Sequence, residues 1–258
     1  MMKKTSLMIL LSLWSIGVFA QKANIAAAAN LRFVLEEIKT QYVNENPKAT
    51  IQLTFSSSGT LTQQIINGAP FDLFLSADTV FPNKVKDAGM ASGSVETYCY
   101  GKIAMWSSSL DPSQGLPIVL SPDVKKIAIA NPVNAPYGEN TVAMLKNQNL
   151  YDKISDKIVW GENISQTAQY AFSGNVEIGF IALSLALAPD MKDKGKYYVL
   201  PENICPPVEQ AAVLIKGWEK NGEAAKFLKY LRSEKCKPVW EKYGYSLPAA
   251  KQLKKTGS

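Results

Sequence analysis

The feature that most constrains this chain is a regular alternation of short apolar runs with segments at helical spacing. Asn24 to Ala29 is a short apolar run, and Leu31, Val34, Leu35, Ile38 and Tyr42 follow at helical period. Thr50 to Phe55 alternates like a half-buried strand, and Leu61 to Ile66 reads as a helix ending near Gly68. Phe71 to Ser76 reads as a buried strand, and Val80 to Ala88 as a helix stopped by Gly89. Strand and helix in turn, at these lengths, predict βαβ units around a largely parallel sheet. One strand is expected around Tyr98 to Ser107. A second series follows: strand Lys126 to Ala130, helix Thr141 to Gln148, strand Lys157 to Trp160, helix Ser165 to Phe172 and strand Glu177 to Ala182. Strands at Tyr197 to Leu200 and Glu209 to Ile215 precede an amphipathic helix from about Gly222 to Leu231, with Ala225, Phe227, Leu228 and Leu231 on its apolar face.

The fold class is therefore α/β, in two lobes joined by crossing segments near 98–107 and 205–214. Lobe I takes residues 21–100 and 208–258, and lobe II takes 101–207. Ligands of such folds sit at the carboxyl ends of strands, in the crevice between lobes. The chain carries no internal repeat and no low-complexity linker.

Residues 1–20 stand outside that pattern. Lys3 and Lys4 precede an apolar stretch from Leu7 to Phe19, and Val18-Phe19-Ala20 supplies small residues for cleavage after Ala20. This is the pattern of a secretory signal, and the run is shorter than the roughly 20 residues a bilayer span needs. An exported, soluble mature protein is expected. The residue directly after Ala20 is Gln21 and not a cysteine, which argues against a lipid anchor.

Composition then excludes several chemistries. The chain has no histidine, which removes Ser-His-Asp and Cys-His nucleophile systems and the commonest ligand of catalytic zinc. Its formal charge of +6, or +4 without Lys3 and Lys4, is spread along the chain. The one dense cluster is Lys251, Lys254 and Lys255, without the interleaved aromatics of a nucleic-acid binder. No nucleic-acid partner, resident cofactor or metal cation is expected. Cys99, Cys205 and Cys236 match no zinc spacing; one pair could bridge, or all three could be buried free thiols.

Two junctions carry candidate chemistry. Ala26-Ala27-Ala28-Ala29-Asn30 ends the first strand and opens the first helix, and Ser56-Ser57-Ser58-Gly59-Thr60 does the same in the next unit. Small residues allow close backbone approach, and helix starts present N–H groups and a dipole that favour an anion. Ordinary capping explains one such junction, while two side by side favour a site. The serine run lacks a G-x-S-x-G elbow, a histidine base and the Gly-Lys-Ser/Thr of a P-loop, so donor is preferred to nucleophile. Asn131 to Gly138 and Gly161 to Ser165 occupy equivalent places in the second lobe. Trp160 and Tyr170 read as core.

At these residues the chain resembles the periplasmic molybdate-binding proteins of ABC importers. The resemblance rests on A-A-A-A-N-L, F-S-S-S-G-T-L-T-Q-Q-I and N-G-A-P-F-D-L-F-L-S-A-D (Gly68 to Asp78 being the specific part). It continues through A-N-P-V-N-A-P-Y-G, G-E-N-I-S-Q, G-F-I-A-L-S and P-P-V-E-Q-A-A-V, over nearly the whole mature chain. It implies a type II two-lobed periplasmic binding fold with two mixed, mainly parallel sheets and a cleft between them. It also implies a monomeric, non-enzymatic periplasmic protein that captures molybdate or tungstate for membrane permease subunits. A sulfate or other oxyanion binder is the alternative, with a secreted serine hydrolase more remote. Ferric iron would want clustered tyrosines and a carboxylate facing the cleft.

Carried over by motif, the oxyanion donors are Asn30 with the Ala29 backbone, Ser57 or Ser58, and the backbone amides of Tyr137 and Ile164. Two positions depart from the common pattern. Many members carry serine where Asn30 stands, and a tyrosine in the G-F-I-A segment where this chain has Ala182. That combination is similar to a variant subgroup in which asparagine supplies a replacement donor. A set of donors alone suits a dianion and leaves hydrogen phosphate without an acceptor, while cavity size would separate molybdate from sulfate.

Overall fold

A computed structural model describes residues 21–217 and 222–248. The signal-like segment 1–20, the end of the first lobe at 249–258 and the tail cluster Lys251, Lys254 and Lys255 lie outside the described residues. Two five-stranded sheets organise the chain. The first has the order β2-β1-β3-β10-β4, and the second β7-β6-β8-β5-β9. The first is built from β1 (Gln21–Ala28), β2 (Ala49–Ser56), β3 (Leu73–Leu75), β4 (Ala91–Gly101) and β10 (Val208–Ile215). The second contains β5 (Ile103–Ser107), β6 (Ile127–Ala130), β7 (Ile158–Gly161), β8 (Ile178–Ala182) and β9 (Lys196–Val199).

Helices α1 (Arg32–Glu45), α2 (Ser58–Ile66) and α3 (Val80–Asp87) connect the first-sheet strands. In the second lobe come α4 (Pro136–Asn147), α5 (Tyr151–Ile154), α6 (Ile164–Phe172) and α7 (Leu183–Ala186). Helices α8 (Glu223–Leu231) and α9 (Lys237–Lys242) end the described chain.

The class is α/β and two-lobed, with mixed sheets. Each sheet has two parallel and two antiparallel pairings. In the first, β1 runs parallel to β2 and β3 while β10 opposes β3 and β4. The antiparallel half arises where the chain crosses between sheets. Residues around 98–107, expected to be one strand, are the ends of two: β4 closes the first sheet at Gly101, and β5 opens the second at Ile103. Lys102 between them donates no side chain to either core; its ammonium pairs with Glu202 at 2.8 Å. The chain returns between β9 and β10.

The βα connections all bring helix starts to the carboxyl ends of parallel strands, as the alternation predicts. Small core residues make this tight: Ala26, Ala27 and Ala28 in β1 are buried, as are Ala128 and Ala130 in β6. In α8 the buried face is Ala224, Phe227, Leu228 and Leu231. Ala224 thus takes the place expected of Ala225, because 224, 227, 228 and 231 are the positions that share one helical face. Trp160, expected in the core, is 42% exposed on β7, which lies at the edge of the second sheet. Tyr170 packs partly buried against the core.

Helix α9 has no strong sequence period, yet it carries Trp240, fully buried with its indole N–H donating to the Leu231 carbonyl at 2.7 Å. Trp240 packs edge-on against Tyr245, ring centres 5.2 Å apart. No helix among the described residues is long and apolar enough to cross a membrane.

Cys99, Cys205 and Cys236 are free and buried. Burial pushes the Cys205 and Cys236 thiols up to about 11, and the Cys99 thiol well above its usual range. Buried, protonated thiols are poor nucleophiles. A thiol titration of the folded protein should therefore register almost no reaction, and denaturant should release three thiols per chain. Fewer thiols after unfolding without reductant would mean that a disulfide forms.

Candidate functional site

Six residues that the sequence nominates line one small cavity between the lobes. Ala29 and Asn30 follow β1, Ser57 and Ser58 follow β2, Tyr137 opens α4, and Ile164 opens α6. Ala28, Ser56, Ala77, Ala135 and Pro136 complete the wall. The cavity is about 10 Å³, far below the roughly 300–1,000 Å³ of sites for drug-sized ligands. As the lobes stand, that is room for about one water molecule, and no lining residue carries a charge. A larger groove of about 540 Å³ runs beside α1, α6 and α7, lined by Arg32, Phe33, Phe172 and Asp190 among others. None of the six nominated residues lines it.

The first turns of three helices converge on the cavity, and their capping decides which N–H groups remain. At α2 the Ser57 hydroxyl accepts from Thr60 N–H at 3.3 Å and sits 2.7 Å from the Thr60 hydroxyl. Gly59 N–H donates to the Asn134 carbonyl at 2.9 Å, leaving Ser58 N–H. At α6 the Asn163 side chain accepts from Ser165 and Gln166 N–H at 3.0 and 3.1 Å, leaving Ile164 N–H. At α4 Pro136 brings no N–H, and Gly138 and Glu139 both donate to the Ala135 carbonyl, leaving Tyr137 N–H. With Asn30 in the short 3₁₀ turn Ala29–Leu31, four backbone N–H groups have no protein acceptor among the described residues. First-turn N–H groups have no intrahelical partner by construction.

The two serines divide the work. Ser57 is the N-cap of α2. Ser58 accepts Ala77 N–H on its Oγ at 3.0 Å, and its own hydroxyl proton has no acceptor among the described residues. Ser58 is 1% exposed, so that proton needs a partner inside the cavity.

Behind the cavity lies a buried polar network that the sequence reading missed. Asn30 Nδ2 donates to Gln210 Oε1 at 2.9 Å and to the Tyr245 hydroxyl at 2.8 Å. Gln210 Nε2 donates to the Tyr137 hydroxyl at 3.1 Å, and the Tyr98 hydroxyl lies 3.2 Å from Gln210 Oε1. Ser184 Oγ donates to the Asn30 carbonyl at 2.9 Å, and Ser165 Oγ to the Ala29 carbonyl at 3.1 Å. Gln210 is fully buried in β10. Its polar side chain in the otherwise apolar run Gln210 to Ile215 was the signal available. Tyr245 had none, since its contact with Asn30 spans 215 residues.

Burial pushes the Tyr98, Tyr137 and Tyr245 hydroxyls above their usual range, so all stay neutral donors. Asn30 Oδ1 is buried without a partner. Exchanging oxygen and nitrogen on both the Asn30 and Gln210 amides keeps the network bonded: Gln210 Nε2 then donates to Asn30 Oδ1, the Tyr137 hydroxyl to Gln210 Oε1, and the Tyr245 hydroxyl turns its proton from the Asn30 carbonyl, which Ser184 still serves, to Asn30 Oδ1. That orientation frees Asn30 Nδ2. Ala182, fully buried at the end of β8, is not among the residues lining the cavity.

The arrangement offers hydrogen-bond donors without a cation, nucleophile–base pair or cluster of metal ligands among the described residues. Among similar proteins, the molybdate-binding protein of Rhodobacter capsulatus is 34% identical over 221 residues, covering 85% of this chain and 86% of that one. That of Azotobacter vinelandii is 34% identical over 230 residues, covering 88% and 91%. The solved Azotobacter vinelandii periplasmic molybdate-binding protein superposes with a TM-score of 0.82 at 31% identity, over 88% of this chain and all of that one. A sulfate-binding protein of Mycobacterium tuberculosis, at 10% identity and a TM-score of 0.74, shares the fold. The family model for bacterial extracellular solute-binding proteins matches residues 23–246, and the chain belongs to that family.

Proposed function

We infer that this protein captures molybdate or tungstate outside the cytoplasm and delivers it to the permease subunits of an ABC importer. The observation that carries the reading is the convergence of four unpartnered backbone N–H groups and the Ser58 hydroxyl on one uncharged cavity. A desolvated dianion needs donors at every oxygen, and charge-assisted hydrogen bonds with helix-start dipoles supply them without a counter-ion. Asn30, Ser58, Tyr137 and Ile164 donate through their backbones. Ser58 adds its hydroxyl and Asn30 adds Nδ2 in the freed orientation, while Ala29 lets the anion approach closely. Ser57 supports the site as a cap. In this reading Asn30 Oδ1 faces the Gln210 amide and the Tyr245 hydroxyl, so it is not left as an acceptor for a protonated oxyanion.

The choice of molybdate is supported by the relatives that carry that name; a tetrahedral oxyanion would have to spread the lining, which now leaves room for about one water. The two lobes, 21–100 with 208–258 and 101–207, would close over it, and the closed form would be the one the permease recognises. Export by a cleaved leader to the periplasm, action as a monomer, and the absence of catalysis and of nucleic-acid binding complete the proposal.

Calorimetric titration of the mature chain tests it. Molybdate and tungstate should both bind tightly and sulfate far more weakly; sulfate binding as tightly as molybdate would overturn the specificity. Ser58→Ala and Asn30→Ala should each weaken binding by about 1–3 kcal/mol, the scale of a buried hydrogen bond left unmade. Ser57→Ala should instead lower stability by about 1 kcal/mol through the lost cap, with binding nearly unchanged. Equal loss of affinity in both serine variants would contradict this division.

A further inference from the structure

Gly59 is the second residue of α2 and has ordinary helical backbone, so its own helix does not require glycine. The requirement comes from the other lobe. A Cβ built on Gly59 would lie 2.8 Å from Asn134 Oδ1, 2.9 Å from Asn134 Cα and 3.1 Å from Asn134 Cβ. Two of those atoms belong to the residue's rigid core, so a side-chain rotation does not relieve the overlap. Here too Gly59 N–H donates across the cleft to the Asn134 carbonyl at 2.9 Å.

The opposing loop is poorly able to give way. Asn134 and Ala135 N–H both donate to the Asn131 carbonyl, at 3.2 and 2.9 Å, and Asn131 Oδ1 accepts from Val133 N–H at 3.0 Å. This braced turn leads directly into α4, whose Tyr137 amide faces the cavity. On the other side, Gly59 adjoins Ser58. The contact therefore sits one to three residues from donors on both lobes.

We propose that Gly59 is the closure seat of the cleft: its missing side chain lets the second-lobe turn at Asn134 dock backbone to backbone, which brings the two halves of the donor set onto one anion. The inference rests on the oxyanion reading above. Backbone meeting backbone is also a stop, so the lobes cannot close further onto a smaller anion. Gly59 is a positioning residue, acting through Ser58 and Tyr137 without touching the anion by a side chain.

The test is Gly59→Ala in the full mature chain, with sodium molybdate, tungstate and sulfate as the probes. Alanine suits a helix better than glycine, so the anion-free variant should melt at or above the wild-type temperature. Its oxyanion affinity should fall by roughly tenfold or more, the scale of a displaced buried hydrogen bond, and the compaction seen by small-angle scattering on adding anion should shrink. Asn134→Ala keeps the backbone carbonyl and should bind nearly as wild type.

Wild-type affinity and compaction in Gly59→Ala overturn the proposal. So does a variant that fails to fold, because α2 would then need the glycine for itself. An equal loss in Asn134→Ala moves the role to a side chain and overturns it as well. If wild type ignores molybdate but compacts with sulfate, the choice of anion fails while Gly59 is still tested. Compaction with none of the three overturns both.

Discussion

A first-turn helix N–H cannot be satisfied by its own helix, and this one constraint organises the site. Every βα connection in the two sheets delivers such groups to the same side, where those of Asn30, Ser58, Tyr137 and Ile164 have no partner among the described residues. Their neighbours do not: Ser57, Asn163 and Ala135 absorb the adjacent N–H groups, so capping sharpens a diffuse dipole into a few directed donors. Lysine or arginine at the same place would bring flexibility and a titratable or mobile charge. Fixed backbone donors need no reorganisation and favour charge on the ligand.

Such donors are useful only if their positions are held, and this is the work of the buried polar layer behind them. Gln210 bonds Asn30 of the first lobe and Tyr137 of the second from a strand at the crossing between lobes. Tyr245 joins Asn30 and Ser184, and it rests edge-on against Trp240. A hydrogen bond in such dry surroundings is electrostatically strong, and an unmade one is costly, so the network tolerates few geometries. Placing it at the crossing makes the geometry of each lobe depend on the other. The uncharged character is preserved throughout, because burial holds the phenols in their neutral form.

How much of this could be read beforehand follows from the range of each interaction. The strands and helices before residue 90 were legible because burial imposes a local period. The Ser- and Asn-rich helix starts were legible because capping chemistry is local too. The break at Lys102 was not: β4 and β5 form one continuous stretch of strand-forming residues, and only the second sheet claims the latter half. Trp160 was misplaced because a period reports apolar residues and says nothing of a sheet edge. The network at Gln210 and Tyr245 pairs residues 180 and 215 apart from Asn30, and no local pattern encodes such pairings. Family resemblance nominated Asn30, Ser58, Tyr137 and Ile164, which line one cavity, whereas the different bonding of Ser57 and Ser58 needed coordinates.

Dividing the donors between lobes has an energetic consequence. Asn30 and Ser58 belong to the first, Tyr137 and Ile164 to the second, so neither lobe alone can replace the hydration shell of a dianion. Closure without an anion would bury four N–H groups and a hydroxyl away from water, each at a cost of order 1–3 kcal/mol when left unpaired. Against that stand the interlobe bonds from Gly59 to Asn134, Ser165 to Ala29 and Ser184 to Asn30, which form only when the lobes meet. At about 0.5–1.5 kcal/mol net for each bond made, the second set does not offset the first, so the open form is favoured until an anion arrives. An anion that satisfies every donor removes the first set and keeps the second. Closure is thereby tied to the differential affinity of the anion for the closed form, and a partner that reads the closed surface would be reading the cargo.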